Sequence, residues 1–413
     1  MKTIRKITFL IAAVMLGITG SFAADLVVEE GGTYTAIQSA VDAAADGDRI
    51  IIKSRAGGLP WIEDVSIAKS LEFLSFDNDT FFTVQGNFTI TPAIGRTVNI
   101  IGMKNNVGNI SGTTTSPTGV RTTVNIMNCY LLSGSVLFDY DYWDVNVVSS
   151  EFDDGYIQIR HGDVIGNDMG YPTSGTANIY IKSEASPVND TLWIVANKVY
   201  NTSTSRQGIY WNCNSSYFRI MNNWIRHVDY GIRVSTTING STTINKIYNN
   251  SIATSTSTST TIYGMYLSGS PASSIVEVMN NGIDESISGS TYGILLSANS
   301  GTMNLYYNHI DVSHSIEISG TPTFSSDNNT SSSFSFLSTG VPSGGSLVNG
   351  ANPDVKYYDL DLTVGDIGCY GGSSTLDNFY PLFNGSARVY FMRYQQSIRQ
   401  GNTLSIEADS YDR

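Results

Sequence analysis

The chain is poor in charge and in sulfur. Charged residues make up 14% of its 413 positions, against about 25% in ordinary soluble domains, and Ser, Thr, Asn and Gly fill the gap. Lys and Arg number 23 against 36 Asp and Glu, a net charge of −13. Residues 1–23 hold three of those cations and no acid, so the remaining 390 residues carry −16 (20 − 36). A surface of that sign repels phosphate backbones and anionic lipid, which argues against a nucleic-acid partner and against electrostatic docking on membranes. Three cysteines, Cys129, Cys213 and Cys369, cannot pair completely and have no metal-site spacing; they are expected as small buried residues. No apolar run beyond residue 23 is long enough to span a bilayer, so no transmembrane segment is expected.

What is present is ample core and a leader. Apolar residues are 41%, with 24 Tyr, 16 Phe and 5 Trp, so the chain is not a disordered one. Met1-Lys-Thr-Ile-Arg-Lys6, an apolar run from Ile7 to Gly20 and Ser21-Phe22-Ala23 form the parts of a secretory signal. The expected destination is therefore outside the cell or on its surface. No Cys stands at the cleavage point to take a lipid anchor.

Internal repeats dominate the rest. Ile126-Met-Asn-Cys-Tyr-Leu131, Ile220-Met-Asn-Asn-Trp-Ile225, Ile247-Tyr-Asn-Asn-Ser-Ile252, Val278-Met-Asn-Asn-Gly-Ile283 and Leu305-Tyr-Tyr-Asn-His-Ile310 share one pattern, and the last four start 27, 31 and 27 residues apart. A second series interleaves with it, centred on Ile209, Ile232, Met265, Ile294 and Ile316. The pattern lacks a helical period and suits short strands separated by turns. Such a unit cannot bury its own apolar face, but stacked copies can, as in a solenoid. Leu71–Leu74, Val98–Ile101, Val124–Ile126, Val145–Val148 and Asn178–Ile181 fit as earlier strands, about ten coils in all between residues 50 and 320. The Asn pairs suit sharp turns that need the left-handed region. Stacked in register, Asn223, Asn250, Asn281 and Asn308 are expected to form an internal amide ladder, with Cys129 in the matching place of its coil.

At its N-terminal end the repeat region resembles a known family. Gly31 to Ile52 is similar to the opening segment of secreted right-handed parallel β-helix proteins, the pectate-lyase-like superfamily and pectin methylesterases among them. The resemblance implies that an amphipathic helix caps the first coil. Ile37, Ala40, Val41 and Ala44 fall at helical spacing, and Asp46-Gly47-Asp48 ends the helix. Asn352 to Gly372 resembles the closing segment of exported bacterial β-helix proteins. The fold class expected is all-β, a right-handed parallel β-helix over residues 50–375, preceded by a strand and cap helix at 24–49 and followed by a β-hairpin appendage at 376–413. That appendage is read from Val389–Tyr394 and Thr403–Ala408, joined through Arg399–Asn402; a lone hairpin is marginal, so it suits docking or self-association. Ser251 to Thr261 reads as a Ser/Thr loop, and 321–350 as a loosely ordered last coil.

The fold is specific but function is not. Pectin methylesterases carry Gly-x-x-Asp-Phe-x-x-Gly and Gly-Arg-Pro-Trp, and neither occurs. The polygalacturonase pattern is only echoed, by Asp153-Asp154 and then Arg160-His161-Gly162-Asp163. These five charged or ionisable residues are the catalytic candidates, with the Asp pair expected in a turn. Lyases of the superfamily use Ca²⁺ and an Arg or Lys base; Arg160, Arg226 and Arg233 are the base candidates, with His161 and His227 nearby. Asp359, Asp361 and Asp366 offer the oxygen ligands Ca²⁺ takes, but lack the turn Gly and distal Glu of an EF-hand loop. No cofactor is demanded by the sequence.

One outward row suggests a ligand. With Ile209, Ile232, Met265, Ile294 and Ile316 facing in, the next residues face out: Tyr210, Arg233, Tyr266, Leu295 and Glu317, continued backwards by Tyr180 and Gln158. Aromatic planes with one cation suit the apolar faces and hydroxyls of sugar rings. Tyr230, Tyr263 and Tyr292 share the parity of the inward residues and are expected to pack inside. The leading expectation is an exported, non-catalytic protein that binds polysaccharide or cell-surface glycan, or builds an extracellular structure. The alternatives are a polysaccharide lyase or hydrolase, and an assembly subunit joined through residues 376–413.

Overall fold

The computed structural model describes residues 23–382, 388–394 and 406–411, apart from 78–79, 115–119, 171, 173, 186–188, 202–206, 227, 238–242, 255–260, 286–289 and 344. Three parallel sheets run the length of the chain, with 13, 11 and 11 strands. Each coil contributes one strand to sheet A, then one to sheet B, then one to sheet C. A coil reads, for example, Tyr217–Met221, Trp224–Arg226, Tyr230–Thr236. Eleven coils supply all three strands, and Asp25–Val28 and Thr323–Asp327 extend sheet A at its two ends. The chain is a parallel β-helix. Its core is one column of inward Ile, Val, Leu and Phe running from Leu26 to Ile310.

The N-terminal end is closed by α1 (Ile37–Ala43), with Ile37, Ala40 and Val41 buried. Seven residues are too few for a self-sustaining helix, and its ends are held from the next coil. The Glu63 carboxylate accepts the N–H groups of Ile37 and Gln38 at 2.8 and 2.9 Å. Lys69 donates to the carbonyls of Val41, Asp42 and Ala44. Asp48 accepts from the N–H groups of Ala24 and Ala45, both at 2.7 Å, as the chain turns into the first full coil.

The A-to-B turn explains the Asn pairs. The first residue of each pair takes positive φ, as at Asn222 (54°), Asn249 (52°) and Asn280 (57°). The second points inside and joins an amide ladder. Asn167, Asn197, Asn223, Asn250, Asn281, Asn308 and Asn329 each bond the next through Nδ2 and Oδ1 at 2.8–2.9 Å. The ladder continues towards the N-terminus through Ser150, whose N–H donates to Asn167, and Cys129, whose N–H donates to Ser150 Oγ. Cys129, Cys213 and Cys369 are buried and not disulfide-bonded.

The chain beyond Thr330 departs from the expected boundaries. Coils stop there, and residues 331–382 double back along the A-to-B turns. Phe336, Cys369, Leu376 and Phe379 cover an outer apolar stripe made by Ile165, Val195 and Trp224. The first Asn of each pair hooks this strap: Asn222 donates to the Gly371 carbonyl at 2.7 Å, Asn249 to that of Asp366 at 3.1 Å, and Asn280 accepts from Asn352 N–H at 2.9 Å. At the strap's far end the Tyr380 hydroxyl donates to the Asn167 carbonyl at 2.7 Å. So 352–372 braces the flank of the solenoid, and Leu376–Phe379 belongs to the strap, not to a hairpin. Ser251–Thr254 is a strand of sheet B, and the part of the Ser/Thr run at 255–260 lies outside the described residues.

Arg388–Tyr394 and Ile406–Tyr411 pair with each other in antiparallel fashion. Residues 403–405 of the expected second strand lie outside the described residues. Residues 1–22 of the expected export signal lie outside the described residues. Among the described residues no helix is long and apolar enough to cross a membrane.

Candidate functional site

The outward row on sheet C is in register. Gln158 pairs with Tyr180, Tyr180 with Tyr210, Tyr210 with Arg233, Arg233 with Tyr266, Tyr266 with Leu295 and Leu295 with Glu317. Parallel strands about 4.8 Å apart bring consecutive rings into stacking range, and Tyr180 and Tyr210 stack at 4.7 Å with planes 7° apart. Leu295 is buried and Glu317 exposed, so the file ends on an apolar step and a lone carboxylate.

Tyr230, Tyr263 and Tyr292 correct the sequence reading. They are half-buried, not core, and they stack in a second file that ends on His314. A column of glycines accounts for this. Gly208, Gly231, Gly264 and Gly293 face the core beside the Ile or Met that follows, so two successive residues turn inward and the preceding Tyr turns out. A Cβ on Gly264 would lie 2.6 Å from Ile283 Cγ2 and 2.7 Å from the Gly293 carbonyl oxygen. The parity rule therefore fails at one step in each of these strands.

Arg233 sits between the two files. Its guanidinium lies 4.9 Å from the Tyr210 ring, 5.3 Å from Tyr230 and 5.8 Å from Tyr266. Cation–π attraction and partial desolvation hold it among the rings. Its Nε is buried without a hydrogen-bond partner, and among the described residues no carboxylate lies within ion-pair distance of it.

The five catalytic candidates do not form one site. Asp153 and Asp154 lie in a strand of sheet B, Glu151–Asp154, not in a turn; the Tyr130 hydroxyl donates to Asp153 at 2.8 Å. Arg160, His161 and Asp163 lie where sheet C passes into sheet A, on a different edge of the helix. Arg226 is on sheet B, over the Tyr200 ring, and Arg233 is on sheet C. His227 lies outside the described residues.

Around His161 the coils assemble partners that spacing does not reveal. Asp144 and Asp190, 17 and 29 residues away, receive its Nδ1 and Nε2 at 3.1 and 3.2 Å. Beside it Arg160 pairs with Asp141 at 2.9 Å, and Arg121 pairs with the buried Glu184. Burial drives Glu184 up to about 7 in spite of Arg121. Burial also pulls His161 down, but the hydrogen bonds to Asp144 and Asp190 together outweigh it and raise the imidazole to about 9. An imidazole protonated at neutral pH cannot serve as a general base. Asn99, Asn125 and Asn146 form an outer amide file on sheet A that leads to Asp163, whose N–H donates to Asn146. The recurrence of Asn after Val98, Val124 and Val145 was the signal for it.

The folded state holds the His161 proton more tightly than the unfolded chain. That stabilisation is complete below pH 6.5 and is lost as pH rises through 9, an effect of about 3 kcal/mol for a ring this buried. His161→Gln is expected to unfold at lower denaturant than wild type near neutral pH, with the gap narrowing at alkaline pH. A gap that does not change with pH would show that packing, not charge, is what the ring supplies.

Asp359, Asp361 and Asp366, the carboxylates expected to offer Ca²⁺ its oxygen ligands, lie in the strap and accept hydrogen bonds from its own backbone. Asp359 accepts the N–H groups of Asp366 and Gly372, Asp361 those of Thr363, and Asp366 that of Asn349. They fold the strap by backbone capping. Among the described residues no three His, Cys, Asp or Glu side chains come together as a metal site.

No family model matches the chain, and no curated protein does. The likeness to pectate-lyase-like proteins is one of fold.

Proposed function

We propose that the protein is exported and binds a polysaccharide across the coils of sheet C. The observation that carries this reading is the aromatic face itself. Two files of stacked rings flank a guanidinium with no carboxylate partner among the described residues, on a sheet whose strand spacing makes them a nearly flat strip. The stacked rings cover one another's faces, so a sugar can lie across a strip of ring edges and phenol hydroxyls, and the guanidinium adds donors for hydroxyl or acidic groups. Such an array recognises without supplying an acid–base pair, which favours binding over cleavage.

A second reading, a polysaccharide-cleaving enzyme, is favoured by one observation: carboxylates gather round His161 in a cleft. Its Arg160 is tied to Asp141, and its imidazole is already protonated, which weakens that reading.

Incubating the protein with neutral and acidic polysaccharides, with and without Ca²⁺, separates the two. Co-elution with one polysaccharide in size-exclusion chromatography, without shortening of it, is expected. Shortening of any of them would make this an enzyme and overturn the binding reading.

A further inference from the structure

Along the outward row of sheet C, charge occurs at two of seven rungs. Arg233 stands at the centre, with Tyr210, Tyr180 and Gln158 on one side and Tyr266, Leu295 and Glu317 on the other. Strands about 4.8 Å apart put Glu317 about 14 Å from Arg233 along the solenoid axis. Glu317 is exposed, and among the described residues no cation lies within ion-pair distance of it. The other charged groups near the row are paired or turned away. Lys182, 5.8 Å from the Tyr180 ring, pairs with Asp139 at 2.6 Å. Asp229, which precedes Tyr230, is buried. His314 stacks on Tyr292 in the neighbouring file.

On the basis of the binding reading of this strip, we infer that its ligand is a polysaccharide with sparse acidic residues, each separated from the next by at least three neutral ones. It lies along the solenoid axis with one acidic group on Arg233. An extended sugar chain advances by about one strand spacing per residue, so each sugar meets one rung. A polyuronate would hold a carboxylate over every rung, and one of these would meet Arg233. The next would lie over Tyr210 and Tyr266, which offer hydroxyls but no charge. Beyond them one would lie over the buried Leu295, which replaces none of the water it displaces, and one against Glu317, which repels it. Neutral sugars suit those rungs. The Tyr210 hydroxyl accepts from Ser235 at 3.1 Å and keeps its own hydrogen for a sugar oxygen. Three neutral residues on either side carry the chain to Gln158 and Glu317 before the next acid. The whole molecule acts in the same direction, because a chain of net charge −13 repels a dense polyanion more than a sparse one.

Affinity electrophoresis at low ionic strength on galacturonan and on mannuronan tests this at three acid contents. Each polymer is used as supplied, with its carboxyls reduced to alcohols until about one residue in four stays acidic, and fully reduced. The partly reduced form is expected to hold the protein about tenfold more tightly than the unreduced form, and more tightly than the fully reduced one. Glu317→Gln is expected to narrow the gap between unreduced and partly reduced forms to about threefold, with little change in melting temperature because the side chain is exposed. Equal or tighter binding of the unreduced form overturns the proposal, and so does retention that does not vary with acid content. Absence of retention by every form of both polymers overturns it too. The sheet C reading itself falls only if neutral polysaccharides outside this series are also unbound, so the two fail separately.

Discussion

Asn250→Ala is expected to unfold far more easily than the wild-type chain, by about 4 kcal/mol. Its side chain accepts from the N–H and Nδ2 of Asn223 and donates to the Ile220 and Tyr248 carbonyls and to Asn281 Oδ1, all at 2.9–3.1 Å and all buried. Alanine strands those partners in a place where apolar neighbours leave little room for water, and each unsatisfied group costs about 1–3 kcal/mol. The loss stops short of the full sum because the coil can relax.

Two companions make the result readable. Asn250→Ser is expected to recover part of the loss, because Ser150 already serves as a rung, accepting from Cys129 N–H and donating to the Val148 carbonyl. Asn250→Asp is expected to be at least as damaging as alanine, since a buried carboxylate cannot donate and carries a charge. Chemical denaturation of the three variants measures the order. If alanine and serine both lie within about 1 kcal/mol of wild type, the ladder contributes nothing that the apolar core does not already supply.

The second large effect concerns ligand. Arg233→Met is expected to weaken binding of an acidic polysaccharide by about tenfold, measured by affinity electrophoresis or calorimetry. The methionine keeps most of the stem that packs between the rings and removes the charge, so folding should be little altered. Arg233→Lys should restore little, because a point ammonium lacks the planar fork of donors that a guanidinium presents. Tyr210→Ala is expected to weaken neutral and acidic ligands alike by about tenfold, while Tyr210→Phe should retain most of the affinity, since the ring is what packs against Tyr180 and Arg233. Unchanged binding in both Arg233→Met and Tyr210→Ala would remove sheet C from consideration.

Much of this was legible in the chain because solenoids repeat. The apolar and Asn positions recur every 27–31 residues, so the register of Tyr180, Tyr210, Arg233 and Tyr266 could be counted from Ile179, Ile209, Ile232 and Met265 and is what the sheet shows. The same counting found four ladder asparagines. It missed Asn167, Asn197 and Asn329, where Gly166, Ala196 and Asn328 precede them and, in the first two, break the Asn-Asn signature. It also turned Tyr230, Tyr263 and Tyr292 the wrong way, because a glycine column lets two successive residues face the core.

The composition argued against membrane-spanning helices beyond residue 23 and against phosphate-backbone partners; the repeat determined the coil, most strand faces and the ladder. Those properties follow from period and polarity, which act between neighbours along the chain. The tertiary structure alone decided three things. It brought Asp144 and Asp190 to His161 across coils of unequal length, so that no constant spacing announces them. It carried residues 331–382 back over the turns, where single side chains such as Asn222 and Asn280 meet partners 72–149 residues away. And it spent Asp359, Asp361 and Asp366 on backbone N–H groups. A sequence shows which carboxylates are present, but whether they face a ligand, a histidine or the chain's own amides depends on how the loops close.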